Sequence, residues 1–193
     1  MRKTISYIYA LTIPSAIIMV SAIVGLTSIS QKTHAKVADY AVTDAITAKQ
    51  VDRVTTLENF FRKYNSPLVG HAETFVRVAD KYDIEYTILP AISCMESTCG
   101  KFIPPNTYNP FGWGIYGSNF IAFEDFDEAI ETVGEGLNKG YFSKGLDTLP
   151  KIAPVYTPPN HRNWLHGVTF FVEQINKEEV ALNIVSSSAI AIS

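Results

Sequence analysis

Leu89-Pro90-Ala91-Ile92-Ser93-Cys94-Met95-Glu96-Ser97-Thr98-Cys99-Gly100-Lys101, then, past residues 102–108, Asn109-Pro110-Phe111-Gly112-Trp113-Gly114-Ile115-Tyr116-Gly117: the fold turns on how this stretch is read. Its first half is apolar or small up to a single carboxylate, Glu96. Its second half is rich in glycine, proline, asparagine and aromatic rings, and no Asp or Glu occurs between Ser97 and Phe123. Ile88, Leu89, Ile92 and Met95 recur at helical spacing, so a buried helix delivers Glu96 at its end. Pro90 belongs in the first turn of that helix, because deeper inside it would remove a backbone hydrogen bond. Gly100 supplies the C-terminal stop. Residues 102–117 read as an ordered loop with a short strand about 113–116. Burial disfavours the charged form of a carboxylate, so its pKa rises and it holds a proton near neutral pH. Beside a ring-rich loop, such a group is a proton donor next to a groove suited to sugar faces.

The flanking sequence is helical in pattern. Residues 57–64 place Leu57, Phe60 and Phe61 on one side. Ser66-Pro67 is a helix start, with Ser as cap and Pro in the first turn. Leu68, Ala72, Phe75, Ala79 and Tyr82 then mark one buried face. Beyond the loop, Phe126, Ala129, Ile130, Val133 and Leu137 form another stripe, capped by Asp125 or Asp127. Residues 148–152 fit one short helical turn. Trp164, Val168, Phe171 and Ile175 give a last strong helix over about 161–178. From Ala181 the tail is uncharged, without turn chemistry, and reads as loose or locally paired. The fold class is mainly α, with helices carrying a site on loops and little strand signal.

At the other end, Arg2 and Lys3 precede residues 4–31, which carry no charge. The apolar centre of this run is long enough to span a hydrocarbon core as a helix. The basic residues at its amino end keep that end cytoplasmic and send the rest across. Its length favours an uncleaved anchor, while Ser28-Ile29-Ser30 offers a weak cleavage site for a signal peptide. Either way the chain from residue 32 onward faces outward from the cell membrane or is secreted. The organisation is therefore 1–31 anchor or signal, 32–55 linker, 56–180 folded domain and 181–193 tail.

Composition excludes several classes. The chain has 193 residues, 47% hydrophobic and 18% charged, with net charge −3. That suits one domain plus appendages, and a core of ~120 residues folds without staples. The slight acidity and the lack of any basic stripe argue against nucleic acid as a partner. The four histidines are scattered; His161 and His166 are five apart, wrong for one helix face, so no metal and no cofactor is expected. His71 reads as a half-exposed surface residue. Cys94 and Cys99 bracket Glu96. In one straight helix they stand ~7.5 Å apart along the axis, so a disulfide requires the helix to end before Cys99.

Glu96-Ser97 at a helix end, then Gly100-Lys101, then Asn109-x-Phe111-Gly112-x-Gly114, resembles bacterial endo-β-N-acetylglucosaminidases of the lysozyme-like superfamily, the mannosyl-glycoprotein endo-β-N-acetylglucosaminidase-like domains. Ile152-Ala153-Pro154-Val155-Tyr156 and Trp164-x-x-x-Val168 resemble that family's tyrosine motif and last helix. The resemblance runs from about residue 66 to 177. It implies a lysozyme-like helical domain with a substrate groove, acting on the glycan strands of peptidoglycan. It implies Glu96 as general acid and a catalytic role for Tyr156, whose hydroxyl can bond an acetamido group or Glu96. Ser97, Asn109, Phe111, Gly112, Trp113 and Tyr116 are then the substrate-binding residues. Lytic transglycosylases share the fold and the acid and are the alternative within the enzyme class; a wall-binding module without catalysis is the alternative outside it.

A second catalytic group is what the pattern lacks. Glycosidases generally use two carboxylates. Glu124, Asp125, Asp127 and Glu128 are the nearest acids, and they sit where a helix starts, the usual place for capping or dipole partners. A single-acid, substrate-assisted route is the more natural expectation.

Overall fold

The computed structural model describes residues 42–45, 52–114 and 121–190. The chain divides into two compact units, Met1–Thr47 and Ala48–Ser193. In the first, residues 42–45 are helical with exposed side chains. The uncharged run 4–31 lies outside the described residues. Among the described residues no helix is long and apolar enough to cross a membrane.

The second unit is a helical body. Residues 52–63 form α1. A 3-10 turn, Pro67–His71, leads into α2 (Ala72–Tyr82) and then α3 (Ile88–Ser97). After the loop come α4 (Phe126–Gly140), a second 3-10 turn (Phe142–Lys144), α5 (Leu149–Tyr156) and α6 (His161–Ile190). All regular structure among the described residues is helical, so the mainly α expectation stands. The short strand expected at 113–116 is absent where it can be seen: Trp113 and Gly114 form a turn.

Local chemistry sets the helix ends. Ser66 accepts a hydrogen bond from the Leu68 amide at 3.0 Å and donates to the Cys99 carbonyl at 2.7 Å. One hydroxyl therefore caps the Pro67 turn and ties it to the end of α3. Asp125 caps α4 by accepting from the Glu128 amide at 2.8 Å. The Glu128 carboxylate returns a bond to the Glu124 amide at 2.6 Å, a reciprocal arrangement close to a capping box. Pro90 stands in the first turn of α3, where no intrahelical bond is lost.

Three helix boundaries differ from the sequence expectation. Helix α1 begins inside the stretch read as linker. Helix α5 extends to Tyr156, past the single turn expected at 148–152. Helix α6 is 30 residues long and runs through the stretch read as a tail. Between Ala181 and Ile190 there is no Gly or Pro to stop it. Residues 183–188 have exposed side chains, and so gave no apolar stripe to read.

The core is continuous. Leu57, Phe60 and Phe61 of α1, Phe75, Val76 and Ala79 of α2, and Leu89 and Ile92 of α3 are buried. So are Ile130, Val133 and Leu137 of α4, Ile152 of α5, and Val168 and Ile175 of α6. Each large apolar side chain withdrawn from water contributes roughly 1.5–3 kcal/mol. Helix α3 packs chiefly on α6, while α2 packs on α4 and α5 on α6. Glu96 therefore stands at the end of a helix gripped along its length. Met95, expected with the buried face, is partly exposed instead.

Helix α3 stops at Ser97 because the next three residues, Thr98 (φ 55), Cys99 (φ 58) and Gly100 (φ 78), are left-handed. This supplies the condition that a disulfide needs, and Cys94 and Cys99 are bonded, with Cα atoms 3.6 Å apart. Two of the three are not glycine, and each such residue costs on the order of 1 kcal/mol. The disulfide and the Ser66 bond hold the turn against that cost. Replacing both cysteines by serine is expected to lower unfolding stability by about 2 kcal/mol, the loop-closure value for so short a loop. Denaturant unfolding of the variant, against wild type with and without reductant, checks this.

Candidate active site

Glu96 projects from the last turn of α3 into a cleft of about 540 Å³. Phe111, Gly112, Trp113, Gly114, Ile121, Tyr141, Tyr156 and Thr157 line the rest of it. The size suits a small-molecule or oligosaccharide site. Glu96 is open to solvent on the cleft side, while protein surrounds its carboxyl on the others. Desolvation pushes its pKa up, and a hydrogen bond from Trp164 partly opposes that rise. Trp164 Nε1 donates to Glu96 Oε1 at 2.8 Å. Lys101 does not neutralise the acid: its ammonium donates to the Tyr64 carbonyl at 2.8 Å. Among the described residues Glu96 has no ion pair.

One wall is a run of rings. The Tyr156 ring lies 4.8 Å from Trp164 with planes tilted by 33°, and Tyr141 lies 5.9 Å from Tyr156. Burial raises the Tyr156 pKa, with smaller pushes from the Glu96 carboxylate and from Tyr141. Its hydroxyl is therefore a neutral donor and acceptor facing the acid's field. The opposite wall is the loop. Trp113 is half-buried, and its indole lies against α4 at Gly136, where an added Cβ would come within 2.4 Å of Cζ2. Trp113 thus both packs and lines the cleft. Gly114 turns with φ 67, and a Cβ there would meet Ile121 Cδ1 at 2.4 Å, so only glycine suits this bend.

Five of the site residues expected from sequence converge in this cleft: Glu96, Phe111, Gly112, Trp113 and Tyr156. Ser97 and Asn109 do not line it. The Ser97 hydroxyl is buried; it shares its proton between the Ser93 carbonyl at 2.8 Å and the Pro110 carbonyl at 2.7 Å, and accepts from the Gly100 amide at 2.8 Å. It pins the loop to the end of α3. The Asn109 side chain donates to the carbonyls of Trp113 at 2.9 Å and Ile121 at 3.0 Å, and accepts from the Trp113 amide at 3.0 Å. Its hydrogen-bonding capacity is spent on holding the loop closed. Tyr116 lies outside the described residues.

The four acids near the start of α4 are absent from the cleft lining. Asp125 and Glu128 are in the cap described above. Asp127 accepts from His71 Nδ1 at 2.8 Å; burial raises its pKa, but bonds from Thr74 and His71 bring it below the usual range. His71 is accordingly a half-buried partner of Asp127. Asp125→Ala is expected to cost about 1 kcal/mol of stability through the lost cap and to leave activity per folded molecule unchanged. A thermal melt beside an activity assay at matched folded fraction checks this.

Trp164, Tyr141, Ile121 and Thr157 were not expected at the site. Trp164 falls on the same helical face as Val168 and Ile175, so its sequence signal is that of a core residue. The bond to Glu96 joins residues 68 apart in the chain, a pairing that one sequence does not announce. Among the described residues no group of acids, histidines or cysteines could hold a metal ion. No family model matches the chain, and no curated protein matches it significantly.

Proposed function

We propose that this chain is a peptidoglycan-cleaving glycoside hydrolase of the endo-β-N-acetylglucosaminidase type, with Glu96 as its general acid. One observation carries the proposal: a lone carboxyl of raised pKa lining a cleft with Trp113, Tyr141 and Tyr156. Rings of this kind stack on the apolar faces of sugars, and a carboxyl of raised pKa holds its proton to higher pH than an ordinary glutamate and can donate it to a glycosidic oxygen. The lysozyme-like arrangement implied by the sequence resemblance belongs to this proposal.

The step is written for the residues present. Glu96 gives its proton to the bridging oxygen as the glycosidic bond breaks. No second carboxylate lines the cleft among the described residues, so the attacking group is the substrate's own acetamido oxygen. The Glu96 carboxylate left behind then takes a proton from the water that opens the cyclic intermediate. The Tyr156 hydroxyl orients the acetamido group. The basic start and uncharged run of residues 2–31 support a domain held outside the cytoplasm, where the wall is.

A single acid is also what a lytic transglycosylase uses, with a sugar hydroxyl in place of water, and this is the second reading. The test is a time course of soluble fragments released from purified peptidoglycan by the full chain, beside a sedimentation assay of binding to the same material. Release at a rate proportional to enzyme supports the proposal. Binding without release would make the chain a wall-binding module.

A further inference from the structure

Glu96 has two carboxyl oxygens, and among the described residues a hydrogen-bond partner meets one of them. The Trp164 indole N–H reaches Oε1 at 2.8 Å. Indole nitrogen donates and never accepts, so Oε1 must be the acceptor and cannot carry a proton on that side. We infer that Trp164 is a positioning residue which assigns the acid's proton to Oε2, the oxygen left for the substrate; this rests on the reading of Glu96 as the proton donor.

The tryptophan is built into place. It is 4% exposed, and the Tyr156 ring covers it at 4.8 Å. One turn further along α6, Gly167 faces α3 so closely that an added Cβ would lie 2.2 Å from Met95 Sδ. Met95 is the residue before Glu96. The Met95 side chain thus packs over Gly167, and α3 and α6 meet at the level of the acid, with the first turn of α6 within hydrogen-bond reach of the carboxyl.

The consequence for chemistry follows from charge. When the proton leaves Oε2 for the glycosidic oxygen, the O–H electron pair stays on the carboxylate and its charge spreads to Oε1. The indole N–H already points there, so the developing charge meets a donor that needs no reorganisation. The same bond draws the pKa of Glu96 down against the larger upward push of burial. No charged side chain contributes to that balance, and Tyr156 on α5 is the titratable group that responds to the Glu96 charge. Trp164 thus keeps the acid from becoming too weak while fixing which oxygen acts.

The first arm of the test needs no substrate. The chain has two tryptophans, Trp113 and Trp164, so it shows two indole N–H resonances, and Trp113→Phe assigns them. With the full chain in detergent micelles, the Trp164 indole proton is followed by NMR against pH beside the Glu96 side-chain carboxyl carbon. The inference expects both to titrate together and the indole response to vanish in Glu96→Gln. It expects Trp164→Phe to raise the Glu96 pKa, shift the alkaline limb of any cleavage profile upward, and lower turnover roughly ten- to a hundredfold. Tyr156→Phe, which keeps the ring, should leave the indole–carboxyl coupling intact. An indole signal that stays flat while Glu96 titrates overturns the inference, and so does a Glu96 pKa that is unchanged or lower in Trp164→Phe. Coupled titration in a chain that cuts no wall glycan would instead sink the proposed activity and leave Trp164's hold on the carboxyl standing.

Discussion

Glu96→Gln is expected to lower peptidoglycan cleavage by about 10²–10⁴-fold and to leave the fold intact. Glutamine keeps the shape and can still accept the Trp164 N–H through its amide oxygen, but it has no acidic proton to give. The same substitution is expected to stabilise the protein at pH values above the folded-state pKa of Glu96. Glu96 has a folded-state pKa above its ordinary value, so its proton is held more tightly in the folded than in the unfolded chain. The stability this confers is fully present below the ordinary glutamate pKa and is lost as pH rises through the folded value. Above that window wild type carries a disfavoured charge that Gln does not. Melting temperatures of the two proteins should therefore diverge as pH rises through the folded-state pKa, with the variant higher above it, and converge in acid. Activity at matched folded fraction completes the comparison. Wild-type turnover in the variant would remove Glu96 from the mechanism.

Gly134→Leu is expected to destabilise the domain by ~3 kcal/mol or more, the upper end of overpacking costs. Gly134 lies within α4, where a Cβ would come 2.2 Å from Val78 Cγ1 of α2. Val78 is fully buried, so it has nowhere to move. Even Gly134→Ala, which in an open helix gains about 1 kcal/mol, should lose stability here. Gly140, at the other end of α4, meets nothing within 4 Å, and Gly140→Ala should be neutral or slightly stabilising. Val78→Ala in the Gly134→Ala background should recover part of the loss, since the two positions share one space. Chemical denaturation of the four variants measures the pattern. Equal effects at 134 and 140 would contradict the close approach of α2 and α4.

The helices were legible where burial imposed a period. The stripes of Phe75 and Ala79, of Ile130, Val133 and Leu137, and of Val168 and Ile175 are buried as their spacing required. The last turns of α6 were not legible, because exposed residues from Ala181 onward carry no period and the absence of a breaker is a weak signal. At the site, Glu96 stood out by its isolation, and Trp113 and Tyr156 by their loop and proline setting. Ser97 and Asn109 stand away from the cleft for a physical reason: a small polar side chain in a loop has nearby backbone groups to satisfy, and both bond to those groups here. Trp164 stayed hidden because an indole reads as bulk, while its function here lies in one N–H aimed across the fold. The disulfide could be stated only as a condition, since whether α3 ends before Cys99 depends on Thr98 and Cys99 entering the left-handed region, where neither is favoured.

Hydrolysis of β-1,4-linked glycan strands with Glu96 as donor can be followed directly by digesting purified peptidoglycan with the full chain in heavy-oxygen water and identifying every new chain end by mass. Hydrolysis by this route yields new N-acetylglucosamine reducing ends, each carrying one heavy oxygen from solvent, and none with Glu96→Gln. Anhydro-muramic ends without solvent oxygen, or no new ends from a folded wild-type chain, would contradict it.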